Sequence, residues 1–231
     1  MSLFVIGDLH LSLSVDKPMD VFGGQWENYE KKLLDGFSAV KPDDTVVLLG
    51  DLSWGLNFEQ AREDFRFIEG LPGRKLVVKG NHDYWWATVS KLERLLAESG
   101  VNSVKFLHNT SFQYENMALC GTRGWFFEEE KSGAHDEKVF NRELCRLRAS
   151  LEHGASRGVG ETLCFLHYPP LYEGYRCDEI VDMMNEYGVK RCYYAHLHGA
   201  GRGRAIEGTY RGITYALVSA DHVDFKPVEI S

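Results

Sequence analysis

The sequence predicts an α/β fold, and three features of the chain support this prediction. Short runs of almost continuous apolar residues recur, which is typical of strands covered on both faces. Between the first three runs lie segments whose apolar residues have helical spacing. This alternation indicates parallel strands joined by right-handed crossovers, and the mixed pattern after residue 110 predicts a second sheet.

The first half of the chain is predicted to be a wound unit of strands and helices. Its four strands are placed at 3–7, 45–50, 75–80 and 104–109. Its three helices are placed at 27–40, 57–69 and about 88–99. Asn57 and Gln60 have the spacing of a capping box, which fixes the start of the second helix.

The second half alternates less regularly. In order, we expect a strand at "MALCG", a helix near 137–153, a strand at "TLCFLHYPP", a helix near 177–187, a strand at "RCYYAHLHG" and a hairpin-rich tail. The stretch 126–138 is interpreted as a solvated cap loop whose acidic residues discourage polyanionic substrates. Because the chain has no internal repeat and no long linker, residues 1–231 are interpreted as one domain.

Composition limits the partners and the compartment of this protein. The chain has 26 basic and 34 acidic residues, so its net charge of −8 disfavours non-specific nucleic-acid binding. Five cysteines without a CxxC pair argue against a disulfide framework and favour a reducing compartment. The first residues lack the pattern of a signal peptide, and no apolar run reaches membrane-spanning length. We therefore expect a cytoplasmic protein without a membrane partner.

Metal-capable side chains follow five of the predicted strands. Ligands of open α/β sheets bind beyond the carboxyl ends of the strands, so these are the positions to search. They carry Asp8 and His10 in "GDLH", Asp51 in "GDLS", Asn81, His82 and Asp83 in "GNHD", His167 in "FLHYPP", and His196 and His198 in "YAHLHG". Considered alone, each motif has an ordinary structural explanation. A Gly-Asp sequence after a strand is usually a turn or a helix cap, and a His before Pro-Pro is more often a packed histidine. Five strand ends with such residues together predict a shared metal site.

The residue types indicate which metals this site would hold. Imidazole and oxygen ligands without a thiolate suit Mn, Fe, Zn or Co better than calcium or a structural zinc. Seven ligands are too many for one tetrahedral ion, so we predict two divalent ions that share one carboxylate. Asp51 is the predicted bridging residue.

The ordered motifs "GDLH", "GDLS", "GNHD", a later isolated His and a closing His-x-His resemble the calcineurin-like metallophosphoesterase superfamily over residues 7–198. The resemblance implies a four-layer α/β/β/α sandwich of two packed mixed sheets flanked by helices. It also implies two ligand sets and one unligated histidine, His82, beside the substrate. The first implied set is Asp8, His10, Asp51 and His198, and the second is Asp51, Asn81, His167 and His196.

Three departures from the family pattern narrow the expected substrate. The chain has Ala195 where the family commonly has glycine before the closing histidine pair. The second motif, "GDLSWG", lacks the Asp-Arg of the branch that acts on phosphoserine and phosphothreonine proteins. The third motif is "GNHD" and not the Asn-Arg version of the lipid A precursor hydrolases. Both of those substrate classes are therefore disfavoured.

The predicted reaction is hydrolysis of a phosphate monoester or diester of a small substrate by a hydroxide held between two metal ions. His82 is predicted to donate a proton to the leaving oxygen, and Asp83 to orient its imidazole and keep it protonated. Arg123 is predicted to clamp a phosphoryl oxygen, its alternative role being a surface ion pair.

Two further alternatives remain open at this stage. Most aromatic residues near the site loops would be packing residues, but one or two could form a stacking platform for a substrate ring. These aromatic residues are Trp54, Tyr84, Trp85, Trp86, Trp125, Phe126 and Tyr168. The second alternative is a catalytically silent scaffold with this fold that binds a protein; such a scaffold would be expected to have lost ligand residues, and this chain has all of them.

Overall fold

The structure is a computed structural model that describes residues 1–125 and 134–231, apart from the side chains of Ala134 and His135. Its strands in chain order are β1 (Leu3–Ile6), β2 (Thr45–Leu49), β3 (Arg74–Val78), β4 (Val104–Phe106), β5 (Ser111–Tyr114), β6 (Met117–Thr122), β7 (Glu161–Leu166), β8 (Leu171–Tyr172), β9 (Tyr175–Arg176), β10 (Arg191–Tyr194), β11 (Gly208–Tyr210), β12 (Ile213–Leu217) and β13 (Val228–Glu229). Its α-helices are α1 (Tyr29–Gly36), α2 (Phe58–Gly70), α3 (Val89–Glu98), α4 (Ala134–Ala155) and α5 (Asp178–Glu186).

The strands form two mixed sheets and a small hairpin. Sheet 1 has the order β13-β1-β2-β3-β4, in which β13 is antiparallel to β1 and the other neighbours are parallel. Sheet 2 has the order β11-β12-β10-β7-β6-β5, with a parallel centre and antiparallel edge strands. Strands β8 and β9 pair with each other. The predicted second sheet is therefore confirmed.

Successive side chains of a strand point to opposite faces of its sheet, and this alternation divides the core into three layers. Leu3 and Val5 of β1 pack with Phe165 of β7 between the two sheets. Phe4 and Ile6, which point to the opposite face of β1, pack beneath α1, α2 and α3. The outer face of sheet 2 is covered in the same way by apolar residues of α4 and α5. This arrangement is the four-layer α/β/β/α sandwich that the resemblance implied.

Helix boundaries agree with the sequence analysis in part. The predicted N-cap of α2 is confirmed, because Asn57 Oδ1 accepts from the Gln60 N–H at 3.1 Å. The second bond of the capping box differs from the prediction, because Gln60 Oε1 accepts the N–H of Leu56 at 2.8 Å. The predicted helix 27–40 is wrong in length: α1 ends at Gly36, followed by a 3₁₀ turn at Phe37–Ala39. The predicted strand 104–109 is also shorter, because only the three residues of β4 pair with β3.

Only part of the predicted cap loop 126–138 lies within the residues that the structure describes. Residues 126–133 lie outside the described residues, whereas 134–138 belong to the first turns of α4 and are not a loop. Asp136 and Glu137 are the acids in that first turn, where negative charge is favourable against the partial positive charge of the helix start. Among the described helices, none combines the length and apolar character needed to cross a membrane.

Gly7 joins the two sheets where β1 and β12 end. Its N–H donates to Val218 O at 2.8 Å, and its carbonyl accepts from the Ala220 N–H at 2.9 Å. A Cβ on Gly7 would lie 2.5 Å from Ala195 Cβ and 3.1 Å from Leu49 Cβ. The alanine that departs from the family pattern is thus accommodated, because it needs no left-handed backbone and because residue 7 has no side chain.

We expect Gly7→Ala to destabilise the protein by about 1–3 kcal/mol, because the added methyl overpacks the junction of the sheets. Thermal unfolding measures this loss as a fall in Tm of roughly 2–4 °C per kcal/mol. Gly203→Ala is the matched control, because a Cβ there meets no atom within 4 Å. An unchanged Tm in Gly7→Ala would contradict the close packing described above.

Candidate metal centre

All seven predicted ligands lie where strands of the two sheets end. Asp8 and His10 follow β1, Asp51 follows β2 and Asn81 follows β3, and these three strands are neighbours in sheet 1. His167 follows β7, and His196 and His198 follow β10, its neighbour in sheet 2. The parallel direction of the strands places all of these residues at one edge of the sandwich.

The backbone at four of these positions is in the left-handed region. The φ angles are 56° at Asp8, 47° at His10, 50° at Asp51 and 72° at His196. Non-glycine residues rarely adopt such angles, which persist only where surrounding contacts hold them. Backbone bonds hold them here: the Asp8 N–H donates to Gly50 O at 3.0 Å, and the His10 N–H donates to Asp51 O at 2.8 Å.

The ligand residues form two groups, each with donor atoms within 4.8 Å of one another. Asp8, His10 and His198 form the first group, in which the Nε2 atoms of the two histidines lie 3.4 Å apart. Asp51, His167 and His196 form the second group.

Asp51 lies between the two groups. Its Oδ2 is 3.5 Å from His167 Nε2 in the second group and 3.9 Å from His10 Nε2 in the first. Asn81 Oδ1 joins the second group at 2.7 Å from His167 Nε2. A carboxylate in this position can face two ions at once.

The electrostatics of the site fit divalent cations. Burial lowers the pKa of His167 and of His196 to about 3, so their imidazoles are neutral at pH 7 and can ligate. Burial, followed by the charges of Asp83 and Asp8, raises the pKa of Asp51 well above its ordinary value. Within the described residues, Asp8 Oδ1 and Asp51 Oδ2 are buried and accept no hydrogen bond. A bound cation would supply the positive charge that these carboxylates lack.

His167 is oriented by the backbone of sheet 1. Its Nδ1 lies 2.8 Å from Leu49 O, a carbonyl that can only accept, so this contact favours the tautomer with its proton on Nδ1. In that tautomer the Nε2 lone pair faces two acceptor oxygens, Asn81 Oδ1 at 2.7 Å and Asp51 Oδ2 at 3.5 Å, an arrangement that a bound cation would stabilise. Fixing the tautomer through the second ring nitrogen is how proteins prepare a histidine ligand.

A family model described as calcineurin-like phosphoesterase matches residues 1–200. This chain belongs to the calcineurin-like phosphoesterase family. Members of the family normally use a dinuclear metal centre, and the two residue groups above are the candidates for it here. Membership supports hydrolysis of a phosphoester by a metal-dependent hydrolase.

Solved structures share the fold at low sequence identity. Phosphopantetheinyl hydrolase PptH from Mycobacterium tuberculosis is 14% identical over 99% of this chain and 95% of its own, with a TM-score of 0.57. A protein of unknown function from Aquifex aeolicus, AQ665, is 16% identical over 99% and 95%, with a TM-score of 0.53. The protein TT1561 of Thermus thermophilus is 11% identical over 99% and 97%, with a TM-score of 0.57. No curated protein matches the chain.

Asp83 does not have the role that the sequence analysis gave it within this phosphoesterase site. Its Oδ2 accepts the N–H groups of Asp51 at 3.0 Å and Gly80 at 2.7 Å. Its Oδ1 accepts the N–H of Leu52 at 2.9 Å and the indole N–H of Trp85 at 3.1 Å. Both oxygens are therefore used to tie the loops after β2 and β3 together. The prediction that Asp83 orients the His82 imidazole is wrong.

His82 lies beside the ligand groups and is neutral. Its backbone N–H donates to Asp51 Oδ1 at 2.7 Å, and its Nδ1 is 3.3 Å from the Tyr84 hydroxyl. Burial, followed by the charges of Lys17 and His198, lowers the pKa of His82 to about 4. In the protein without substrate, the His82 imidazole is thus uncharged at pH 7, contrary to the expectation that Asp83 keeps it charged.

Arg123 lies in an ion pair close to Tyr168. Its Nη2 is 3.2 Å from Glu143 Oε1, and the buried Glu143 also accepts from Thr122 and Arg146. The guanidinium carbon lies 5.8 Å from the ring centre of Tyr168, whose ring is 4.7 Å from that of His196. The structure therefore shows the ion pair that was the alternative interpretation. The clamp on a phosphoryl oxygen stays a prediction.

Most of the aromatic residues near the site are packing residues. Trp54 stacks on His10 at 4.8 Å on one face and carries the Lys17 ammonium at 3.2 Å over its ring. Trp85 is buried, Trp86 packs on Phe106 and Trp125 packs on Phe140. Phe126 lies outside the described residues. Tyr84, with 56% of its surface exposed, has the ring most open to solvent among them.

Sequence reasoning missed Asp221 and Lys17. Asp221 is buried, and its Oδ2 accepts the Gly199 N–H at 2.8 Å, which fixes the turn after His198. It follows β12, a neighbour of β10, so the search of strand ends would have found it had the tail been read as a parallel strand. Lys17 has no such signal, because it lies in a loop that is distant in sequence from every strand end.

Asp83→Asn should destabilise the metal-free protein by roughly 2 kcal/mol or more, because an amide has one oxygen for four N–H donors. Thermal unfolding in the presence of a chelator measures this, with a Tm fall of roughly 2–4 °C per kcal/mol. Asp43→Asn is the matched control, because Asp43 is exposed. Equal Tm values for the two variants would show that the Asp83 carboxylate does not hold the loops.

Proposed function

We propose that this protein is a dinuclear-metal phosphohydrolase that cleaves a monoester or diester of a small substrate. Asp8, His10, Asp51 and His198 would hold one ion, and Asp51, Asn81, His167 and His196 would hold the second. The observation that carries this proposal is the position of Asp51 Oδ2, which lies within 4 Å of histidine nitrogens from both groups. A buried carboxylate oxygen without a hydrogen-bond donor, among the residues described, is suited to bridge two cations.

The chain's own residues prepare this site. When bound, the two ions would supply Lewis acidity toward the phosphoryl oxygens and an activated nucleophile. His167 is held in one tautomer by Leu49 O, and Asp8 Oδ2 accepts the His196 N–H at 2.8 Å, which keeps this ligand-bearing turn in place. Asn81 adds a neutral oxygen, so the site gains a ligand without further negative charge.

His82 is proposed to donate the proton that the leaving oxygen needs. If the Tyr84 hydroxyl donates to Nδ1, the proton of the neutral imidazole lies on Nε2. An anionic phosphoryl group beside the ring would raise the pKa of His82 by Coulomb attraction, which opposes the effect of burial. Nε2 is therefore the atom from which the leaving oxygen would take its proton.

A small phosphate ester suits the rest of the protein better than a large polyanion. The net charge of −8 repels nucleic acid over most of the surface, so we propose no nucleic-acid partner. We also propose a cytoplasmic location, which the five free cysteines support because reducing compartments keep thiols unpaired. The clamp role of Arg123 would require its guanidinium to serve Glu143 and the substrate together.

Metal content provides the first test of the proposed function. After manganese loading and desalting, mass spectrometry should give about two ions per chain, and Asp51→Asn should lower the content at both positions because the residue is shared. Asp44→Asn is the matched control: Asp44 is also buried, but it accepts the N–H groups of Ser2 and Lys41. Wild-type protein without bound metal and without turnover would favour the protein-binding scaffold.

Leaving-group dependence provides the second test. His82→Ala should keep its metals and lose about 10²- to 10⁴-fold in kcat on esters of poor leaving groups, with little loss on nitrophenyl esters. His153→Ala is the control, because His153 lies on α4 and bonds Ser111 at the edge strand β5. Equal loss on good and poor leaving groups would show that His82 does not supply the proton.

A further inference from the structure

A cleft opens beside His82. Its volume is about 410 Å³, and it is lined chiefly by Val15, Lys17, Trp54, Leu56 and Tyr84. The Trp54 ring centre lies 4.5 Å from the His82 ring centre, and the Tyr84 hydroxyl lies 3.3 Å from His82 Nδ1. We call this the leaving-group cleft, because His82 is the proposed proton donor to the leaving oxygen. The inference below rests on that proposed function.

The leaving-group cleft contains one cation, Lys17, which has no carboxylate partner among the residues that the structure describes. Lys17 Nζ lies 3.2 Å from the centre of the Trp54 ring, and no ion pair within the described ranges involves it. Asp16 also lines the cleft, and Asp20, Glu27 and Glu30 line the adjoining cleft that Lys17 borders. Within the described residues, none of these acids forms an ion pair with Lys17. By contrast, the charge of Arg123 is balanced by Glu143. An unbalanced ammonium in a partly apolar cleft attracts an anion.

The apolar walls define what can lie between His82 and Lys17. The Trp54 ring is buried, stacks on His10 and lies against the Lys17 ammonium, so it is not free to stack on a substrate ring. Leu56 and Tyr84, 65% and 56% exposed, present the open apolar surface of the cleft. A flat or aliphatic group bound in the cleft would contact these two side chains and Trp54.

The ammonium group is close enough for one small leaving group to span. Lys17 Nζ and the His82 imidazole both lie against Trp54, at 3.2 Å and 4.5 Å from its ring centre. These distances place the ammonium within roughly 8 Å of the centre of the His82 ring, a separation that a single benzene ring or a short alkyl chain can span.

We propose that Lys17 is a specificity-determining residue that binds an anionic group on the leaving alcohol of the substrate. The preferred esters then have an apolar linker that carries a carboxylate or a phosphate of its own. Nothing else in the described part of the cleft offers a positive charge for that group.

Binding of non-hydrolysable ligands to the manganese-loaded protein tests this inference without turnover. Phenylphosphonate, 4-carboxyphenylphosphonate and 1,4-phenylenediphosphonate are compared by calorimetry. A distal anion should tighten binding about 5- to 10-fold over phenylphosphonate, as expected for a charged hydrogen bond in a half-exposed cleft. The two distal groups distinguish a carboxylate from a phosphate as the preferred anion.

Variants at position 17 assign the preference to Lys17. In Lys17→Met the ratio of the dissociation constants should fall to about one, in Lys17→Arg it should be retained, and in Lys17→Glu it should be reversed. Lys226→Met, at an exposed lysine outside the cleft, should keep the wild-type ratio. Equal affinities in the wild type, or a preference that persists in Lys17→Met, would overturn the role of Lys17 alone. Failure of all three phosphonates to bind would overturn the proposed phosphohydrolase together with it.

Discussion

Two carboxylates, those of Asp8 and Asp51, are removed from water where the two sheets meet, and no cationic side chain among the described residues balances them. Transfer of a charged carboxylate into a protein interior is costly unless a counter-charge accompanies it. The neighbouring imidazoles cannot supply that charge, because burial lowers the pKa of His10, His167 and His196. The fold therefore concentrates neutral ligands and uncompensated anions in one place, an arrangement that divalent cations would stabilise.

The same edge also concentrates backbone strain, and the surrounding contacts explain how it is held. Left-handed angles at Asp8, Asp51 and His196 turn the chain sharply after each strand and bring the side chains inward. The Asp83 carboxylate accepts four N–H groups, and these hydrogen bonds hold the strained loops in place. The backbone of Gly7 adds hydrogen bonds between the two sheets. The ligand positions therefore depend on residues that would never touch a metal. This dependence explains why a carboxylate inside the "GNHD" motif is structural.

The sequence predicts those parts of the fold and of the site that follow from the strand pattern, and it does not predict those that depend on contacts between distant segments. Parallel strands end at one edge, so the sheet pattern alone brings Asp8, Asp51, Asn81, His167 and the closing histidines to one site. The role of Asp83 could not be read in this way, because its partners at Asp51 and Leu52 are set by the approach of another loop. The 3₁₀ turn after α1 was missed for a similar reason: a Cβ at Gly36 would meet the backbone of Phe225, a contact from the far end of the chain. The position of Lys17 depends on the path of its loop, which no periodic pattern in the sequence predicts.

The charges around the two ligand groups are distributed unevenly. On the Arg123 side, the buried Glu143 neutralises much of the guanidinium charge and holds it against Tyr168. Close to His82, Lys17 has no carboxylate partner among the described residues, and the Lys17 ammonium contributes to the lowered pKa of His82. An anion bound at Lys17 would reduce this contribution, and the proton affinity of the His82 imidazole would rise in the complex. Recognition of the leaving group and protonation of its oxygen would then be coupled through a single ammonium group.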